Sequence, residues 1–332
     1  MNKRVTERVS RTAFAVCAAF LVLAMAAIFL FVGANAYQTF TVKHVNPLHF
    51  FFGSLWLPDS GEVGALVMIV GSITVTALAV LLSTPISVGL AFFVTEIAPP
   101  WARRFMQPVL ELFTGIPSII YGLLGLQLLV PALAYAYNYL AGAFLYAGFG
   151  AMAASVVLAI MILPTIATIT IDALRALPVG LREASYALGA TRWQTIRKTL
   201  LPASSSGIFT GIVLGLGRAI GETLAVSFVI GSNPNSFPFG FTNVFPYIAF
   251  HPTSTITVQL LFDFKEATPG SLNYDAVWTL SFVLLLVSLL LVIVSRWIGS
   301  RSAFNPERRT LGSRFAGITS LVRRAQARSV AP

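Results

Sequence analysis

Apolar residues run along this chain in stretches too long for the alternation of a strand or the one-sided stripe of a soluble helix. Arg11 and Lys43 enclose one uncharged run, Glu62 and Glu96 a second, and Glu111 and Asp172 a third of 60 residues. A fourth, from Ser204 to Gly231, carries only Arg218 and Glu222, and a fifth lies between Asp275 and Arg296. A helix needs about 20 apolar residues to cross a hydrocarbon core. The third run therefore holds two crossings, with Val130–Gly150 and its tyrosines as the loop between them. The pattern predicts an all-α, polytopic membrane protein with six transmembrane helices near residues 13–35, 65–95, 112–133, 149–170, 206–231 and 276–296.

Two stretches carry further detail. Residues 63–95 would span about 50 Å as one straight helix, more than a bilayer needs. Pro85 removes a helix hydrogen bond and predicts a kink there, followed by a bent extension near the inner surface. In the segment 232–274, "TITVQLLFDFKE" predicts a short interfacial helix. None of the connecting segments is large enough for a separate domain.

Composition agrees with the pattern: charged residues make up 10% of the chain, against about 25% in an average soluble protein. A net charge of +10 would suit a nucleic-acid binder, but the placement of the charges argues against one. With both termini inside, 19 of the 22 basic residues fall in inner segments, among them Arg103, Arg104, Arg175, Arg182, Arg192 and Arg197. Only Lys43 and Lys265 fall outside, and Arg218 stays in the membrane. That bias fits six spans with cytoplasmic ends. It divides the chain into an N-terminal tail (1–12), a six-helix membrane domain (13–300) with a cytoplasmic loop at 174–204, and a basic C-terminal tail (301–332) that meets anionic lipid. "ANA" at 34–36 resembles a cleavage site, yet the apolar run before it exceeds a signal peptide's core, so a retained first span is expected. Cys17 is the single cysteine, which excludes an intrachain disulfide. His44, His49 and His251 all fall in outer segments without metal-ligand spacing, so no metal is expected. The chain lacks a P-loop, so no ATP or other cofactor is expected on it.

The loop 174–204 is amphipathic. Leu181, Ala184, Ala187 and Leu188 form one apolar face, Gly189 fits a turn, and Trp193, Ile196, Leu200 and Leu201 recur at helical spacing before Pro202. Periodicity leaves two readings open: a docking knob for a partner, or a helix lying on the inner leaflet. The residues Glu183-Ala184-Ser185, Gly189 and Leu201-Pro202 resemble the EAA loop of ABC-importer permeases, with Ser185 in place of alanine and Thr199 in place of isoleucine. The resemblance implies that this loop docks on a cytoplasmic ATPase and that Glu183, Ala184, Gly189, Leu201 and Pro202 form the joint.

In the fifth span, Gly207, Gly211, Gly215, Arg218 and Glu222 fall within an arc of about 80° at roughly 100° per residue. The glycines predict close approach by another helix or subunit. An arginine at that depth costs about 2.5–3.5 kcal/mol on insertion scales, which argues for protein or water around it. One reading is an intrahelical pair with Glu222; yet Arg before Glu at this spacing is the less favourable order. The other is a path for an oxyanion, stabilised transiently by Arg218 and opposed by Glu222. "RAIGETLAVSFVIGSNP" (218–234) and "LFTGIPSIIYGLLGL" (112–126) are similar to signature stretches of phosphate ABC transporter permeases, closer to the PstC type than to the PstA type. In the second stretch Pro117 frees backbone carbonyls, and Ser118 and Tyr121 are candidates to line the path beside Arg218 and Glu222.

The resemblance implies an ABC importer type I permease fold in the bacterial inner membrane. It also implies a non-catalytic subunit that imports phosphate by alternating access. The partners it implies are a PstA-type second permease, an ATP-hydrolysing ATPase dimer and an extracytoplasmic phosphate-binding protein. Sulfate or molybdate is the alternative cargo. A passive anion channel or a membrane-bound sensory component is the alternative class, and neither explains an EAA-like loop.

Overall fold

The computed structural model describes residues 3–141, 147–238 and 251–302. The expected basic tail beyond Ser302 and part of the 232–274 segment lie outside them. Fourteen helices are described: α1 (Lys3–Thr41), α2 (Pro47–Phe52), α3 (Leu66–Phe92), α4 (Pro100–Gly115), α5 (Ser118–Leu124), α6 (Val130–Ala141), α7 (Ala151–Arg175), α8 (Val179–Ala187), α9 (Arg192–Thr195), α10 (Leu201–Ala203), α11 (Ser205–Ile220), α12 (Leu224–Ser227), α13 (Ile256–Glu266) and α14 (Leu272–Ser302). Wider π turns at Phe93–Ile97, Gly125–Leu129 and Ile196–Leu200 join some of them without a break. The described strands are a two-residue hairpin, Trp56–Leu57 against Glu62–Val63.

Among the described residues, five helical stretches are long and apolar enough to cross a membrane: 11–41, 66–97, 118–139, 151–175 and 272–297. A sixth crossing is available as a bent pair, Arg192–Ala203 and Ser205–Ile220, which meet at 67°. The chain is a multi-pass membrane protein, and the expected all-α class holds.

At the centre α3 lies along α7, and α11 packs against both of them. The seam is made of small residues. Ala151, Ala154, Ala159 and Ala167 of α7 are buried, and Ser155 donates to the Val75 carbonyl of α3 at 3.3 Å. In lipid, helices gain no hydrophobic drive toward each other, so close backbone approach and such bonds hold the bundle. α1 leans chiefly on α14, through Gly33 against Phe282 and a buried 2.7 Å bond between the Thr39 and Thr279 hydroxyls. Its residues 11–30 show no burial and form a lipid-exposed face.

Several expected boundaries shift. The second span passes through Pro85 as continuous helix; the chain leaves helical geometry at Ala98 (ψ 139°), before Pro99 and Pro100. A residue preceding proline is pushed out of the α region, and two prolines in succession make this the stop. The third span starts at Ser118 instead of residue 112, because Ile116 (ψ 129°) precedes Pro117; residues 100–115 form the amphipathic α4. Val130–Ala141, expected as loop, continues the span as α6. Its alanines and tyrosines are compatible with helix once no glycine or polar turn interrupts them. The stretch expected as an interfacial helix, α13, instead has Ile256, Thr257, Val258, Gln259 and Asp263 buried against α3, α12 and α14.

The fifth span differs most. Ser204 (ψ 0°) marks the 67° bend, and α11 ends at Ile220. At about 24 Å it falls short of a hydrocarbon core of about 30 Å. Gly221 caps it, and the chain restarts as α12.

Candidate functional site

Arg218 sits in the last turn of α11, half-buried, with Nη1 donating to the Thr165 hydroxyl of α7 at 3.3 Å. α7 is brought this close by the glycines. A Cβ on Gly215 would meet Ile166 at 2.8 Å, one on Gly211 the Ile166 carbonyl at 3.2 Å, and one on Gly207 would collide with Ala173. The seam is thus internal to the chain, between α11 and α7. Tyr121 on α5 lies within electrostatic range of Arg218. It is buried, and its hydroxyl donates to the Phe113 carbonyl at 2.6 Å, stapling α4 to α5 across the Ile116–Pro117 break. Ser118, half-buried, opens α5 one turn earlier.

Glu222 does not share Arg218's helix. Gly221 ends α11, and the Glu222 carboxylate turns to accept the Ala225 backbone N–H at 3.2 Å, covering a free donor at the start of α12. Its carbonyl accepts the Thr257 hydroxyl at 3.1 Å. The ion pairs among the described residues are Lys43–Asp275, His49–Glu62 and Arg182–Glu96, so the intrahelical Arg218–Glu222 pair is not formed. The expected arc covers Gly207 to Arg218 and stops there, because two glycines in five residues (Gly217, Gly221) weaken helix continuation and the freed backbone finds partners on α13.

A narrow cleft meets this break. Its lining is mixed: Glu222, Ser72, Thr76, Thr255 and Thr257 share it with apolar residues of α3, α7, α11 and α12, among them Val75, Leu158 and Val226. Gly71 allows it: a Cβ there would collide with the Ser254 carbonyl. Beside it Ser72 Oγ accepts the Ile256 N–H at 2.9 Å. Thr165, Ser72, Thr255 and Thr257 went unrecognised in the sequence, where isolated hydroxyls in apolar runs carry no periodic signal.

The second functional cluster lies at the end where α4, α7 and α8 carry their arginines. α8 closes in a Schellman turn: Ala190 N donates to the Ser185 carbonyl at 3.2 Å and Gly189 N to that of Tyr186 at 2.9 Å. Gly189 adopts φ +76°, and no atom lies within 4 Å of a Cβ built there, so conformation rather than space demands glycine. Thr191 and Gln194 form a capping box that starts α9. Ser185, where the resembled pattern has alanine, bonds the Thr195 hydroxyl at 2.9 Å and ties α8 to α9. Glu183, Ala184 and Leu201 are exposed, Pro202 is half-buried, and Leu188 is 90% and Trp193 66% exposed.

One contact here was not expected. Arg182 Nη2 lies 2.8 Å from Glu96 Oε1, with Nε at 3.1 Å, and Nη2 also reaches the Leu174 carbonyl at 3.0 Å. The side chains are 20% and 11% exposed, against 50% and 45% for His49 and Glu62. An exposed pair such as the latter contributes about 0–1 kcal/mol. Breaking a buried one by removing a partner costs about 3–5 kcal/mol. No local pattern joins residues 86 positions apart, so the sequence alone marked Glu96 as a charge at a run's edge and Arg182 as one of the basic residues of the inner loop.

Residues 83–303 match the family described as binding-protein-dependent transport system inner membrane component. A probable ABC transporter permease protein of Bacillus subtilis, YqgH, is 40% identical over 90% of this chain and 93% of its own length. The phosphate transport system permease protein PstC of Xylella fastidiosa is 38% identical over 74% of this chain and 77% of its own. PstC of Pasteurella multocida is 33% identical over 89% and 92%. Among solved structures, a bacterial alginate ABC transporter in complex with its pentasaccharide-bound periplasmic protein aligns with a TM-score of 0.59 at 15% identity, over 90% of this chain and 98% of that one. That likeness supports the ABC importer type I permease fold.

Proposed function

Because the chain belongs to the family of binding-protein-dependent transport system inner membrane components, we propose that it is the permease subunit of an ATP-driven importer of inorganic phosphate. The anion assignment follows the PstC relatives. The observation that carries it is Arg218: a half-buried guanidinium bonded to a threonine hydroxyl, with no carboxylate within ion-pair distance among the described residues. A cation kept in an apolar bundle without a counter-ion favours an entering anion. The Thr165 bond orients it without neutralising it.

The remaining parts have these roles. A PstA-type subunit completes the pathway, and an external binding protein delivers phosphate to the face that carries Lys43 and Trp56. An ATPase dimer docks on the exposed apolar residues of α8 and α9, which places both termini in the cytoplasm. ATP-driven closure moves this loop and switches the bundle between outward- and inward-facing states. Arg218 stabilises the passing anion. Glu222, bonded to Ala225 at the helix break, opposes tight capture by its charge, and Ser118 and Tyr121 sit on α5, which packs against α12 and α7.

Reconstitution of the four-component complex in vesicles tests the reading. Uptake of radiolabelled phosphate is expected to require ATP and the binding protein, and excess sulfate or molybdate should leave it unchanged. Competition by sulfate or molybdate at equal concentration would overturn the phosphate assignment. Uptake without ATP would overturn the importer.

A further inference from the structure

We propose that Arg182 is a strut that transmits movement of α8 to the second and fourth spans together, through its pair with Glu96 and its bond to the Leu174 carbonyl. The proposal rests on the reading that α8 docks on an ATPase. Apart from this side chain, α8 connects to α7 through the turn at Ala176–Pro178 and to α9 through the Ser185–Thr195 bond. Both routes reach α3 through apolar packing, α7 along its length and the 196–200 turn by Ile196 and Leu200 against Ala91, Phe92 and Val94. Arg182 adds a polar link, by a fork in which Nε and Nη2 both donate to Glu96 Oε1 and Nε also lies 3.4 Å from Oε2, in a partly buried setting. Such a contact is stiff and directional.

Glu96 lies in the π turn Phe93–Ile97, whose wider backbone continues α3 without a break. A displacement at Glu96 is therefore carried along α3. At the far part of that helix, Ser72 holds the Ile256 N–H, and the neighbouring Thr257 holds the Glu222 carbonyl. The strut thus links the docking loop to the cleft beside Arg218 by way of α3. The hydrogen bond to Leu174 ties the same guanidinium to the last turn of α7, which carries Thr165. One side chain holds the ends of both helices that frame the site.

The test is the ratio of phosphate imported to ATP hydrolysed by the reconstituted complex. Arg182→Gln and Glu96→Gln are each expected to lower that ratio about tenfold, within the usual range of coupling between sites, while the ATPase still co-purifies. The exchange Arg182→Glu with Glu96→Arg is expected to restore much of it, and Arg182→Lys, which lacks the fork, to fall between. An unchanged ratio in both single variants, or an exchange that recovers nothing, overturns the strut. Loss of the ATPase from the single variants would make Arg182 part of the docking surface and also overturn it. Glu183→Ala and Leu188→Asp probe docking separately: an ATPase that stays bound to both removes the docking assignment and leaves the ratio to judge the strut.

Discussion

At the scale of single residues, the site is governed by which polar groups are already satisfied. Tyr121 and Glu222 spend hydrogen bonds on the backbone at helix breaks, at Phe113 and Ala225, whereas Arg218 has one long bond to a neutral hydroxyl. Arg218→Gln should therefore abolish phosphate uptake while leaving assembly intact, since glutamine can still bond Thr165. Uptake by the variant at more than about a tenth of the normal rate, a barrier change under about 1.4 kcal/mol, would remove arginine's assigned role. Gly189 shows the complementary case, in which the residue is required by its backbone conformation although a Cβ there would meet no atom within 4 Å.

At the scale of elements, α11 is both short and closely packed. Its glycines face α7 on one side, while Gly217 faces open space, with no atom within 4 Å of a Cβ built there. The two kinds of glycine should respond in opposite directions. Gly215→Leu drives a side chain into Ile166 and should destabilise the chain by about 1–3 kcal/mol. Gly217→Ala should raise stability by about 0.5–1 kcal/mol by removing backbone freedom from a helix. Thermal unfolding of the detergent-purified chain reads both; a fall for Gly217→Ala, or no change for Gly215→Leu, contradicts the packing described.

At the scale of the whole molecule, distant segments are tied together at the end opposite the arginine-rich loops. Trp56 of the hairpin donates through Nε1 to Asp263 of α13 at 2.8 Å and through its backbone to Asn235 at 2.6 Å. Lys43, just past α1, reaches Gly270 and Asp275. Burial pushes the Asp263 carboxyl above the usual carboxylate value of 3.8, opposed by the bonds from Gln259 and Trp56 and reinforced by the charge of Glu266. The folded chain thus holds this proton more tightly than the unfolded one. The stability so gained is complete below pH 3.8 and is lost as pH rises through the elevated folded value. Asp263→Asn keeps an acceptor for Trp56 and has no proton to lose, so its thermal midpoint should fall less than the wild type's over that interval. Parallel pH profiles for the two proteins would show that Asp263 does not set the slope.

The sequence by itself determined the membrane class, the number of crossings within one bent helix, the clustering of arginines at the ends of the runs and the amphipathic loop with its glycine turn. These rest on local quantities: the apolar length a bilayer demands, the charge at the ends of each run, and the φ that only glycine adopts freely. Pro117 was legible as a break, whereas the kink in the second run was read at Pro85 and the chain instead leaves helical geometry before Pro99. Tertiary structure alone decided which polar groups meet. Arg218 on Thr165, Glu222 on α13, Ser185 on Thr195 and Arg182 on Glu96 join segments that do not share a helix. In an apolar bundle each helix can turn its few polar atoms toward several neighbours. Only the assembled packing, set by where alanine and glycine let backbones approach, selects the partner.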